Sequence, residues 1–286
     1  MTERHVYADR SERGKLKLTG PQRAWFLHQI LTQSFEDIEP GEARDTALIT
    51  AHGRMVGYME ALATDDALWL HFEPELIETL PGALQRYVFA TQVTIENVTD
   101  DFGLVVVVDQ DWEKTAREVV PDALRHRTLS LGVPAGYLWV ARARVDEVLA
   151  ALGAEGLEVT TEDELENLRV ARGMARWGWE MTPKTLPPEA GLDEIAVHYD
   201  KGCFVGQEAM AKIRFRGKVN RKLRRLRADA PLAVGSDITL DDSKVGTITS
   251  AARDRALAMV RYTVEPGTQV SVGDVTATVI DMTDDA

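Results

Sequence analysis

The sequence predicts an α+β chain of two related halves followed by a small β-barrel. Three observations predict it. The first 110 residues run strand, helix, strands, helix, strands, the order of an antiparallel sheet with helices on one face. A similar order recurs between positions 111 and 222. The remaining segment changes to short strands punctuated by Gly235, Gly246, Gly267 and Gly273, the pattern of a small barrel. A chain of 286 residues is long enough for two or three such units. The expected divisions are 1–110, 111–222 and 223–286.

In chain order, Lys15 to Leu18 alternates charged and apolar residues, as a half-buried strand does. Pro21 suits the first turn of the helix that follows, where Trp25, Phe26 and Ile30 form the expected buried face. His28 lies in that helix without a metal or base partner within a turn, so it reads as structural. Thr46–Thr50 and Met55–Ala63 form a hairpin around Ala51–Arg54, and Ala67–Phe72 is the next strand. Pro74 to Tyr87 has helical patterning that Pro81-Gly82 kinks or splits. Val93–Val98 and Gly103–Asp109 are two more strands.

In the second half, Asp111–Val119 and Val145–Leu152 read as helices, with a strand at Tyr137–Ala141 between them. Thr161 and Glu164 match a capping box that opens a helix through Leu165, Leu168 and Met174. A proline-rich loop between Met181 and Leu192 leads into Ile195–Asp200. Beyond it, Val234–Leu240, Lys244–Ser250, Ala256–Thr263 and Val275–Met282 are the expected barrel strands.

The net charge of −13 argues against general binding to a polyanion such as nucleic acid. A single cysteine rules out an internal disulfide and a self-contained multi-thiolate metal site, and fits a reducing compartment. The N-terminal ten residues lack the apolar core of a signal peptide, and no apolar run approaches the roughly 20 residues that span a membrane. A cytoplasmic, monomeric protein without a membrane partner is the expectation.

The most informative stretch is K-G-C-F-V-G-Q-E, Lys201 to Glu208. Cys203 sits between Gly202 and Gly206, with Lys201 two residues before it and Phe204, Gln207 and Glu208 after. Two glycines four apart suggest a tight, shaped loop. A nearby ammonium favours thiolate over thiol. Cys203 is then a nucleophile, a redox-sensitive thiol, one ligand of a cluster shared with a partner, or simply a small buried hydrophobe. Gln207 and Glu208 could equally tie the loop to the basic segment that follows.

From Lys212 to Arg227 the chain carries nine Lys or Arg and no acid. Lys212, Arg214, Arg216 and Lys218 alternate with Ile213, Phe215 and Val219, which reads as a strand with one charged face. Such a strand is either a solvated, guarded sheet edge or an anion site for carboxylates or phosphates.

The cysteine motif resembles the signature of the YgfZ family, the folate-binding relatives of the glycine cleavage T protein. Leu18–Thr32 is similar to that family's opening helix, Leu168–Gly178 to its arginine-and-glycine segment, and Leu186–Leu192 to its proline–glutamate loop. The resemblance implies a three-domain ring around a channel, with two ferredoxin-like α+β halves and a C-terminal small β-barrel. It implies a factor that binds a tetrahydrofolate derivative and supports assembly or repair of iron–sulfur clusters, and so tRNA-modifying enzymes. Iron–sulfur enzymes or cluster carriers would be its partners. It carries Lys201 and Cys203 over as the working pair, with Gly202, Phe204, Gly206, Gln207 and Glu208 as the rest of the motif. Arg169, Arg172, Arg214 and Arg216 are the expected ligand-binding residues.

Two positions depart from the aminomethyltransferase relatives. Where those carry an aspartate pair, this chain has Gly57 and Tyr58, and Glu60 is expected to point elsewhere. Where they hold a pterin ring with a glutamate, this chain has Ala171, which offers no side-chain hydrogen bond. Glycine cleavage is therefore not expected. A folate-dependent aminomethyl or methyl transferase or demethylase, and a non-catalytic RNA or protein adaptor built on Lys212–Arg227, are the alternatives.

Overall fold

The protein is described from a computed structural model, which covers residues 5–217 and 219–282. In chain order the first part holds β1 (Val6–Asp9), β2 (Gly14–Thr19), α1 (Arg23–Ile30), β3 (Ala43–Ile49), β4 (Met55–Ala63), β5 (Ala67–Phe72), α2 (Leu80–Gln85), β6 (Thr94–Asn97) and β7 (Phe102–Val108). The second part holds α3 (Trp112–Val119), β8 (Leu124–Arg127), β9 (Ala135–Ala141), α4 (Val145–Ala154), β10 (Glu158–Val159), α5 (Glu162–Arg172) and α6 (Gln207–Arg216). The last part holds β11 (Arg221–Ala228), β12 (Asp237–Leu240), β13 (Ser243–Ala252), β14 (Arg255–Arg261), β15 (Gln269–Val272) and β16 (Val275–Ile280).

Two five-stranded sheets form the body. One has the order β3-β4-β5-β2-β6, the other β10-β1-β7-β9-β8. Strand alternation sorts their side chains into layers. Leu16, Leu18, Leu68 and Leu70 face one way into a core shared with Phe26, Leu27, Ile30 and Leu80 of α1 and α2. Trp69 and Leu62 face the other way and meet Leu104, Val106, Tyr137 and Trp139 of the second sheet. Val105, Val107, Leu138 and Val140 then face α3 and α4 through Trp112, Ala116, Val148 and Leu152. The order of layers is helix, sheet, sheet, helix, which buries both faces of both sheets. Residues from both sides of position 110 share the second sheet, because β1 and β7 pair with each other and β7 pairs with β9.

The C-terminal strands close a barrel in the order β11-β14-β13-β12-β15-β16, with β11 returning to β16. The expected α+β body and barrel are therefore present. The strands β1, β8, β10 and β15 are too short or too polar to have stood out in the sequence. Helix α5 begins at the expected capping box, Thr161 with Glu164, and ends at Gly173 with φ +79°. It packs on β13 and β14, so it joins body to barrel.

Two expectations are corrected and one holds. Trp25 is 47% exposed, and Leu27 and His28 complete the buried face of α1 in its place. The helical stretch from Pro74 is split as expected: a 3-10 turn at Pro74–Leu76 ends before α2, and Pro81 sits in the first turn of α2, where its missing donor has no acceptor. The alternating run Lys212–Arg216 is helical. Its period-2 charge pattern is overruled by Met210 and Ile213, three apart and turned to the core, and by Gly206 and Gly217, both left-handed, at its two ends. The basic strand is instead β11, and it has a partner on each side, so it is not an edge.

Candidate functional site

The cysteine loop is built on the end of α1. His198 N donates to Thr32 O at 2.9 Å, Thr32 Oγ1 donates to Ala196 O at 2.6 Å, and Gln33 Nε2 donates to Ile195 O at 3.2 Å. Lys201 then turns inward. Its Nζ donates to Leu31 O at 2.6 Å, to Gln33 O at 2.8 Å and to His28 O. These are carbonyls at a helix C-terminus, where a cation is favoured. An ammonium has three N–H bonds, and all three are engaged here. Burial pulls Lys201 down to about 7, with the charge of Glu36 acting the other way. Lys201 therefore anchors the loop, its three N–H bonds given to backbone carbonyls and not to the thiol it was expected to serve.

Phe204 is buried in the core of the first sheet, and the Lys201 ammonium lies 4.8 Å from its ring centre. Gly206 has φ +84°, and a Cβ there would sit 2.5 Å from Thr50 O, so glycine is required. Gly202 lies in open space beside His28 Nε2. Between the two inward anchors Cys203 is exposed, which overturns the buried-hydrophobe alternative. Gln207 and Glu208 open α6, where the Glu208 carboxylate lies 3.6 Å from Lys212 Nζ.

The expected ligand arginines separate. Arg169 is buried and fully committed: Nε donates to Glu166 at 2.8 Å, and Nη1 donates to Glu180 at 2.8 Å and Met174 O at 2.5 Å. Nη2 donates to Glu166 and, at 2.7 Å, to Ser250 Oγ of the barrel. It is a structural hub. Arg172 is half-buried at the end of α5, against Gly132. Arg214 lies 4.4 Å from the Tyr199 ring and lines a 500 Å³ pocket with Lys222 and Arg224. Arg216 ends α6, and its side chain lies outside the described residues. Arg221, Arg224 and Arg225 mostly hold the fold, bonding to Glu189, Glu265 and the carbonyls of Asp281 and Met282.

The centre, where the two sheets meet α5 and the 175–181 segment, is filled by charge pairs. Arg13 pairs with Glu73, Glu73 with Arg176 at 3.1 Å, Arg176 with Glu162 at 2.9 Å, and Glu162 with Arg10 at 2.6 Å. Burial acts to raise Glu73, but Arg13, Arg10 and Arg176 hold it down to about 2. The space left is about 20 Å³, far below the few hundred Å³ of a ligand pocket. This cleft does not admit a pterin ring as it stands.

Sequence reasoning missed the groups beside it. Tyr58 donates to Asp45 Oδ1 from the neighbouring strand. The tyrosine at the expected carboxylate position thus holds a carboxyl that β3 supplies. Glu60 does not point elsewhere: two residues from Tyr58, it shares Tyr58's face and lies directly across from Asp45. It is 2% exposed, with His71 Nε2 at 3.7 Å and His126 Nε2 at 3.6 Å.

Glu60, His71 and His126 have the spacing of a metal site. Their outer partners bear on that reading. Arg13 Nε–H donates to His71 Nδ1 at 3.1 Å, and Trp139 Nε1–H donates to His126 Nδ1 at 3.3 Å. Each donor favours the Nε2–H tautomer of its ring, but the two Nε2 atoms lie 3.0 Å apart, so one of them accepts and keeps the lone pair a metal would need, beside a Glu60 carboxylate that has no hydrogen-bond partner among the described residues. Burial pushes His71 down to about 3, so it is neutral near pH 7. Burial also acts to raise Glu60, yet the two imidazoles hold it well below the usual carboxylate range.

Asp45 opens onto a 690 Å³ pocket between the 33–45 segment, α3, β8 and the 194–198 segment. Burial and the charge of Glu60 push Asp45 up to about 7, with the Tyr58 hydrogen bond acting the other way. This pocket has the volume for a folate-sized molecule.

The comparisons with known proteins agree with this architecture. Residues 220–283 match the family model "CAF17, C-terminal beta-barrel domain". A chloroplastic protein of Arabidopsis thaliana, named as a transferase, is 27% identical over 266 residues, covering 86% of this chain and 61% of that protein. The chain thus spans less than two thirds of that relative's length. An aminomethyltransferase of Thermotoga petrophila is 26% identical over 302 residues, covering 92% of this chain and 80% of that one. The crystal structure of the glycine cleavage system aminomethyltransferase T from Bartonella henselae superposes with a TM-score of 0.88 at 16% identity, covering 98% of this chain and 86% of that one.

Proposed function

The chain being a YgfZ/CAF17-like protein of the glycine cleavage T-protein superfamily, we propose that it supports assembly or repair of iron–sulfur clusters through the exposed thiol of Cys203. One observation carries this reading. Lys201 and Phe204 are fastened into the body on either side of a sulfur that faces solvent. The loop invests buried contacts in presenting one side chain, which packing alone does not require. A thiol so placed can attack, or can ligate an iron of a cluster held jointly with a partner. Cluster-dependent enzymes, including tRNA-modifying ones, are the proposed clients. Deleting the protein should lower the activity of such enzymes in extracts and leave cluster-free enzymes unchanged. Unchanged cluster enzymes would end this reading.

A second reading is favoured by the Tyr58–Asp45 pair. A carboxyl beside a 690 Å³ pocket supplies a proton-handling group that Gly57 and Tyr58 alone lack. A reduced folate would find room there and not in the filled centre, and Asp45 would be its polar anchor. Turnover of a methylated amine with tetrahydrofolate, lost in Asp45→Asn, tests the transferase reading. Calorimetric titration with 5-formyltetrahydrofolate tests binding itself. No heat at millimolar folate would remove folate from this second reading.

A further inference from the structure

Asp45 and Glu60 are direct neighbours across the β3–β4 register. Two carboxyls so placed in a buried site do not both ionise; their environments decide which one does. Glu60 faces the Nε2 atoms of His71 and His126 at 3.7 and 3.6 Å, with the Arg13 guanidinium behind His71. Asp45 has the Tyr58 hydroxyl on Oδ1, the charge of Arg127 within reach, and the pocket before it. The negative charge therefore settles on Glu60, and Asp45 keeps its proton. With Oδ1 taken by Tyr58, Oδ2 is the atom that serves the pocket.

The other polar groups around the pocket are donors and paired acids, with Glu194 as the remaining acid. Arg125 donates to the carbonyls of Val120 and Pro121, and Arg127, Gln33 and His198 line the same wall. Of the acids, Asp37 is held by Arg44 and Glu113 by Arg117, which leaves Glu194 near the 195–198 wall. With Asp45 neutral, the floor offers an O–H donor next to two guanidinium groups. The complement of that set is a carboxylate, because a hydrogen bond from a neutral acid to a carboxylate is charge-assisted.

We propose that the pocket floored by Asp45 is a binding site for a small carboxylate-bearing molecule, held by the acid proton of Asp45 together with Arg125 and Arg127. Binding is then linked to a proton. Ionising Asp45 puts a second negative charge against the ligand, so affinity falls by about tenfold per pH unit above the Asp45 titration. The inference stands on Asp45 and Glu60 and is independent of the role of Cys203.

The probe is glutarate, titrated by calorimetry at several pH values in buffers of different ionisation enthalpy. The expected result is affinity that declines above neutral pH, with up to one proton taken up per glutarate. Asp45→Asn should bind glutarate with a flat pH profile and no proton uptake. Persistence of the pH dependence in Asp45→Asn would overturn the proposal, and so would absence of binding at about 10 mM glutarate, beyond the millimolar range of weak sites. Carbon-13 resonances of the wild-type carboxyls give a check that needs no variant: Asp45 should titrate near neutrality, and titration at an ordinary aspartate position would overturn the assignment.

Discussion

Lys201 and Cys203 are two residues apart and have opposite fates. One is buried with three carbonyl acceptors, the other faces water. Replacing Lys201 by Met should orphan those carbonyls and cost about 2–4 kcal/mol in urea unfolding. Cys203→Ser should stay within about 0.5 kcal/mol of wild type. Equal stabilities would mean that the ammonium is not an anchor. Asp45 gives a second residue-scale test. Its pKa is raised on folding, so its stabilising contribution is complete below about pH 4 and disappears as pH rises through about 7. The melting temperature of Asp45→Asn should therefore gain on wild type between pH 5 and 8; a constant difference would contradict the raised value. At this scale the sequence was only half legible. The motif marked the right loop, but the partners of Lys201 lie about 170 positions away, and Asp45 on β3 carries no local signal at all.

Helix α6 shows how an element can be misread. Alternating charges from Lys212 onward mimic a strand, whereas the bracketing glycines and the spacing of Met210 and Ile213 specify a helix. Period 2 and period 3.6 are hard to tell apart over so few residues. The two glycines are not equivalent. Gly206→Ala should cost more than about 2 kcal/mol, since a Cβ meets Thr50 O at 2.5 Å in a left-handed backbone. Gly217, also left-handed but with open space around it, should cost only about 1 kcal/mol as alanine. Comparing the two by thermal unfolding tests whether the loop is pressed against the first hairpin. The strand pattern of the halves and the capping box of α5 were legible because each rests on local periodicity or a local cap.

Across the whole molecule, α5 ties the barrel to the body through Arg169, Glu180 and Ser250. Arg169→Met leaves the buried Glu180 carboxylate with no guanidinium, held only by Ser250 Oγ and the Arg176 N–H, which should destabilise by about 3–5 kcal/mol. Weakening the tie should also begin to separate barrel and body into two calorimetric transitions; a single unshifted transition would show that the junction does not depend on Arg169. The three-part architecture could be foreseen from element order. The filling of the centre could not, because Arg10, Arg13, Glu73, Glu162 and Arg176 are scattered along the chain and look like ordinary surface charges until the sheets bring them together.

The claim that organises these scales is that the body holds one thiol in the open for work on iron–sulfur proteins. Its most direct test is the activity of a cluster-dependent enzyme in cells whose only copy of this protein is Cys203→Ala, matched in abundance and melting temperature to wild type. The account predicts activity as low as in the deletion strain. Full activity with the alanine variant would contradict it and leave the loop as a structural anchor.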